Sequence, residues 1–107
     1  RTWLFTKAVN ALSFTISPLR ADAMPDRCVV SAAGYFPNGS ILKIEVCNNA
    51  NDVTPSWEDI SDSLGKKYFF KNAAKTAAAW AFGLRCTLTR GTAVGDVWLD
   101  YITINYR

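Results

Sequence analysis

The chain has 107 residues, is half hydrophobic, and carries a net charge of +3 from twelve basic and nine acidic residues. That length suits one domain, residues 1–107, with a single core, and the aromatic-rich composition excludes a disordered chain. Neither a nucleic acid nor a membrane is expected as a partner, since the charges are scattered and the longest apolar stretch, "AAAWAFGL", is far shorter than a ~20-residue span.

Alternation of apolar and polar residues, the pattern of a half-buried strand, recurs along the chain. In chain order, strands are predicted at residues 2–7, 11–17, 27–32, 41–46, a short one after Ser56, and then at 66–71, 80–88 and 96–106. Turn signals separate them, among them Ser17–Pro18, "GYFPNGS" and "RGTAVGD". Seven or eight strands at this spacing predict an all-β fold, a single antiparallel β-sandwich of jelly-roll type.

The alternation also predicts which side chains are buried. In "WAFGLRCTL" one face is polar or small and is expected to meet water: Ala81, Gly83, Arg85 and Thr87. The buried set is Trp80, Phe82, Leu84, Cys86 and Leu88, joined by Leu42, Ile44, Val46, Leu12, Phe14, Ile16 and Trp98 from other strands. The preceding "KNAAKTAAAWAF" has helix-favouring alanines, but it is interpreted as a loop entering a strand, with a helix as the alternative.

Several reactive arrangements are excluded or disfavoured. The chain has no histidine, which removes the Ser/His/Asp and Cys/His nucleophiles, and Glu58 and Asp59 would point to opposite faces of a strand. Cys28, Cys47 and Cys86 lack CxxC spacing and are interpreted as buried thiols from a reducing compartment, the alternative being a disulfide such as Cys47 to Cys86. We therefore expect no enzyme, no cofactor and no metal.

The polar stretch "NNANDVTPSWED" allows two functional interpretations, each with a structural alternative. Its oxygen-bearing side chains could bind calcium, although Asx-rich segments more often bond their own backbone in turns. An exposed Trp57 could bind a sugar together with Tyr35, or it could instead close one end of the sandwich. The candidate ligand-binding residues are Trp57, Tyr35, Asp52, Glu58 and Asp59.

Two segments together resemble a domain that recurs in virion proteins of tailed bacteriophages: "ILKIEVCNNANDVTPSWEDIS" and "YFFKNAAKTAAAWAFGLRCTLTRGTAVGDVWLDYITINY". The shared features are V-x-N-N-A-x-D, P-x-W-E-D, an aromatic strand with F-x-N, and a W-x-F strand ending in R-G. The resemblance spans Ile41 to Tyr106 and implies a fold-defining role for the polar stretch, with no catalytic residues.

The resemblance implies a virion structural protein, made in the host cytoplasm, that decorates or attaches to the capsid, tail or fibre. Its partners would be other virion proteins and identical copies. Tyr101 and Tyr106 would either form that interface or pack inside the sandwich. The alternative function is a carbohydrate-binding module that recognises a host surface glycan.

Overall fold

The computed structural model describes residues 1–5 and 11–107, which form two four-stranded antiparallel sheets packed face to face. The first sheet has the strand order β1-β8-β3-β6 and the second has the order β2-β7-β4-β5. The strands are β1 (Thr2–Leu4), β2 (Ala11–Arg20), β3 (Arg27–Tyr35), β4 (Ile41–Cys47), β5 (Glu58–Asp59), β6 (Tyr68–Phe69), β7 (Ala81–Thr89) and β8 (Trp98–Tyr106). This architecture confirms the predicted β-sandwich; Thr6 and Lys7, at the end of the first predicted strand, lie outside the described residues.

The core lies between the central strands of the two sheets. Phe82 and Leu84 of β7 face Ile102 and Ile104 of β8, and all four side chains are buried. Ile44, Val46, Cys86 and Leu88 are buried as predicted. Leu42 and Phe14 are only partly buried, because β2 is an edge strand and β5 is too short to cover the start of β4.

Ala81 and Gly83 are buried, so the prediction that they meet water is wrong. The turn after β4 folds back over this end of β7, and the Ala50 N–H donates to the Ala81 carbonyl at 2.9 Å. A Cβ on Gly83 would lie 3.0 Å from the Cβ of Ala50 and 2.9 Å from the hydroxyl oxygen of Ser17. Glycine is therefore needed where the turn crosses the sheet.

Two tryptophans predicted to lie in the core lie outside it. Trp80 precedes β7 and is partly exposed, with the Lys75 ammonium 5.7 Å from its ring centre. Trp98 begins β8 and projects from the outer face of the first sheet, because the next residue, Leu99, is buried. Alternation alone could not locate the point at which each strand begins.

Two connections differ in how they match the sequence pattern. Ser17 and Pro18 lie within β2, where the pairing with β7 shifts register between Ile16 and Leu19, so the predicted turn is an irregularity in a longer strand. Residues 70–80 have no helix, which confirms the prediction of a loop entering a strand.

No helix among the described residues is long and apolar enough to cross a membrane.

The three cysteines are free and buried, as predicted. Cys86 is paired with Ile44 on the core side of the second sheet, whereas Cys47 is paired with Gly83 and points to the other side, so these two strands hold the thiols on opposite faces. Burial raises the pKa of the Cys28 thiol to about 12 and the pKa values of Cys47 and Cys86 to about 11.

Replacing Phe82 with alanine should lower the free energy of unfolding by about 3–5 kcal/mol, because the side chain is fully buried and its ring stacks on Tyr106. Urea unfolding followed by fluorescence would measure the loss. Thr87→Ala, on the exposed side of the same strand, is the matched control and should change stability little. Equal unfolding midpoints for the two variants would show that Phe82 has been wrongly assigned to the buried face of β7.

Candidate functional site

The polar segment Asn48–Asp52 follows β4 and leads to β5 in the same sheet. Three of its side chains are almost completely removed from solvent, with exposed fractions of 0% for Asn48, 3% for Asn49 and 8% for Asp52. Buried polar groups need hydrogen-bond partners. These partners come mainly from residues 70–80, the connection that crosses from β6 in the first sheet to β7 in the second.

The Asp52 carboxylate accepts two backbone hydrogen bonds from this connection. Oδ2 accepts from the Thr76 N–H at 3.0 Å, and Oδ1 accepts from the Ala77 N–H at 2.9 Å. The Asn49 amide adds a third bond to Oδ2 at 3.2 Å. The backbone donor of Ala77, followed by that of Thr76, lowers the pKa of Asp52 because these bonds favour the charged carboxylate.

Asn48 joins three parts of the chain. Its amide nitrogen donates to the Pro25 carbonyl at 3.1 Å and to the Asn72 carbonyl at 2.8 Å. Its oxygen accepts from the Asn72 side chain at 2.8 Å. Asn72 was not singled out from the sequence, although its place in the F-x-N motif was an available signal.

Asn49 closes the turn on itself and attaches it to β7. Its side-chain oxygen accepts from the Ser56 N–H at 2.9 Å, while its backbone forms a bridge with Ala81. The polar stretch thus bonds backbone groups of the connection that crosses between the sheets.

Glu58 and Asp59 point to opposite faces of β5, as predicted. Glu58 accepts hydrogen bonds from the Tyr68 hydroxyl and from the backbone N–H groups of Lys71 and Asn72, which links the two sheets. Burial, together with the bond to Glu58, raises the pKa of Tyr68. Asp59 accepts from the Ser61 N–H at 2.9 Å, and that backbone bond lowers its pKa.

Trp57 does not close an end of the sandwich, so that interpretation is wrong. It lies on the outer face of the second sheet, where the Arg85 guanidinium carbon is 4.5 Å from its ring centre. Arg85 is held in turn by the Glu45 carboxylate at 2.8 Å. A cation over an aromatic face is favourable, and this contact leaves Trp57 only partly exposed.

Tyr35 and Trp57 are not brought together. Tyr35 ends β3 in the first sheet, is 47% exposed, and has its ring centre 4.8 Å from that of Trp98. Trp57 lies beside the second sheet, near the other end of the sandwich. It directly precedes Glu58, which is paired with Val46 near the end of β4. The two aromatic residues proposed as one sugar platform therefore belong to different surfaces.

The two candidate interface tyrosines have different environments. Tyr106 stacks on Phe82 with ring centres 4.6 Å apart, and its hydroxyl donates to the Arg20 carbonyl. Of the two alternatives for Tyr106, packing inside the sandwich is therefore correct. Tyr101 is 40% exposed on the outer face of the first sheet, beside Leu4, which is 77% exposed.

No family model, curated protein or solved structure matches this chain.

Replacing Asn48 with alanine should lower the free energy of unfolding by about 1–3 kcal/mol, because two carbonyls and the Asn72 amide lose a partner in a buried setting. Asn51→Ala is the matched control, since Asn51 is exposed and makes a single 3.3 Å bond to the Ala79 carbonyl. Urea unfolding of both variants tests this. Similar losses would contradict the structural weight given to Asn48.

The stabilisation by Asp52 should disappear in acid. Because the folded-state pKa of Asp52 lies below its ordinary value of 3.8, the contribution is complete above that pH and is lost as the pH falls through the folded pKa. The difference in unfolding free energy between the wild type and Asp52→Asn should therefore shrink between about pH 6 and about pH 2.5. Denaturant titrations over this range measure it, and a constant difference would contradict the prediction.

Proposed function

We propose that this chain is a non-enzymatic structural module of a bacteriophage virion that decorates or attaches to the capsid, tail or fibre and packs beside identical copies. The motif positions that carry the resemblance include Asn48, Asn49 and Asp52, which bond the crossing between the sheets, and Asn72, which belongs to that crossing and bonds Asn48. Because these residues hold the fold together, their hydrogen bonds support the proposal that the motif specifies a fold. The carboxylates of Asp52 and Glu58 are likewise engaged by backbone donors, which disfavours an acid–base role.

The observation that carries the assembly proposal is an apolar patch on the outer face of the first sheet. We call it the aromatic patch, and it comprises Leu4, Tyr35, Trp98 and Tyr101. Exposed apolar groups of this kind mark interaction surfaces in soluble proteins. The outer face of the second sheet differs, since it carries the charged residues Lys43, Glu45 and Arg85.

A second copy of the chain suits the aromatic patch. Around a twofold axis the same surface meets itself, so a charged patch would bring like charges together. The four side chains of the aromatic patch are uncharged and avoid this repulsion. Tyr101 lies between Leu4 of β1 and Ala33 of β3, and we place it inside the contact.

Tyr101→Asp should abolish self-association, because it would bury a carboxylate without a partner in the contact. Light scattering over a range of protein concentrations would measure the mass of the wild type and the variant. Thr87→Asp, on the outer face of the second sheet, is the matched control and should associate like the wild type.

Attachment to virus particles is the second measurement. The wild-type chain should bind purified particles that lack their fibres or decoration proteins. A chain that remains a monomer at high concentration and does not attach to such particles would contradict the proposed function.

A further inference from the structure

Two arginines lie directly opposite each other beside the first sheet. Cys28 pairs with Tyr106, and one residue further along, Arg27 and Arg107 exchange backbone hydrogen bonds of 3.2 and 3.0 Å. Opposed residues of an antiparallel pair project from the same face. Because Cys28 is buried toward the core, both arginine side chains project outward.

This arrangement places like charges together. Like charges directly opposite each other in a sheet are destabilising. Lys67, just before β6, brings a third cation to the same concavity. Asp26 lies 3.8 Å from Nε of Arg27, but both side chains are well exposed, so this pair compensates the repulsion only weakly.

The cations line a concavity of about 460 Å³, large enough for a sugar-sized group. Val29 and Asn105 are also among its lining residues, and none of the lining residues in the described part of the chain is an Asp or a Glu. Concave sites with a few convergent polar groups are characteristic of small-molecule binding. An anion in this position would relieve the repulsion among the three cations.

An exposed aromatic ring continues the same row. Phe69 of β6 pairs with Arg27 on the side away from Arg107, and it is 58% exposed. Phe69, Arg27 and Arg107 therefore follow one another across three adjacent strands. An aromatic face provides apolar area on which the C–H face of a sugar ring can pack, beside groups that bind its charged substituent.

We propose that this concavity binds an acidic saccharide. Arg27 and Arg107 hold its carboxylate or phosphate group, for which the planar guanidinium offers paired donors, and Lys67 adds a third positive charge. Phe69 packs against a sugar ring, and Asn105 offers an amide to its hydroxyls. The site includes neither Tyr35 nor Trp57. Saccharide binding is measured on the isolated chain, so its test is independent of the assembly proposed above.

Calorimetric titration with three probes tests the proposal: tetragalacturonate, the neutral maltotetraose, and inorganic phosphate. Tetragalacturonate should bind more tightly than maltotetraose, and added salt should weaken it. Arg27→Ala and Arg107→Ala should each weaken tetragalacturonate about tenfold or more, the effect of losing one charge-assisted pair. Phe69→Ala should weaken tetragalacturonate but leave phosphate binding unchanged.

Lys43→Ala is the matched control, since it removes one positive charge from the outer face of the second sheet and should bind like the wild type. Unchanged melting temperatures would show that the exposed substitutions leave the fold intact. Equal affinity for the two tetrasaccharides, or equal effects of Lys43→Ala and Arg27→Ala, would overturn the site. Binding of phosphate with neither saccharide would overturn the ligand class.

Discussion

Hydrogen bonds from the Asn48–Asp52 turn pair several backbone groups of residues 70–80, and this arrangement holds the connection that crosses between the two sheets. That connection crosses from one sheet to the other without ladder partners, so several of its backbone groups depend on side chains for their hydrogen bonds. Asp52 accepts from Thr76 and Ala77, while Asn48 bonds Asn72. Because the turn also bonds Ala81, it determines where the central strand β7 begins.

The polar side chains of the Asn48–Asp52 turn are engaged in hydrogen bonds within the fold. The candidate recognition surfaces are therefore the outer faces of the sheets. The first sheet has two different regions on one face. The aromatic patch, at the end of β3 marked by Tyr35, suits contact with another protein, whereas the cationic concavity near Arg27, at the other end of β3, suits a small anion. Their separation along the strands would let the proposed assembly and the proposed ligand binding take place on one module.

The sandwich could be predicted because alternation is a local property that each strand carries by itself. The predicted exposure of a side chain was wrong where a segment distant in sequence covers the strand. Ala81 and Gly83 are covered by the turn that follows β4. Trp57 is covered by the Arg85 guanidinium on the outer face of the second sheet. The Asx-rich composition of the polar stretch predicts side-chain bonds to backbone groups, but it does not identify the partners, which come from residues more than twenty positions away. The arginine pair depends on the register of β3 against β8, which composition and spacing do not contain.

Native-state hydrogen exchange at the amides of Thr76 and Ala77 measures whether the Asn48–Asp52 turn holds the crossing in place. Both residues lie outside any strand, yet their N–H groups are donated to Asp52. These two amides should exchange as slowly as the amides of the central strand β7, because the loop amides and the β7 amides would open only when the two sheets separate. Exchange at the rate of an exposed loop would show that the Asn48–Asp52 turn does not hold the crossing in place.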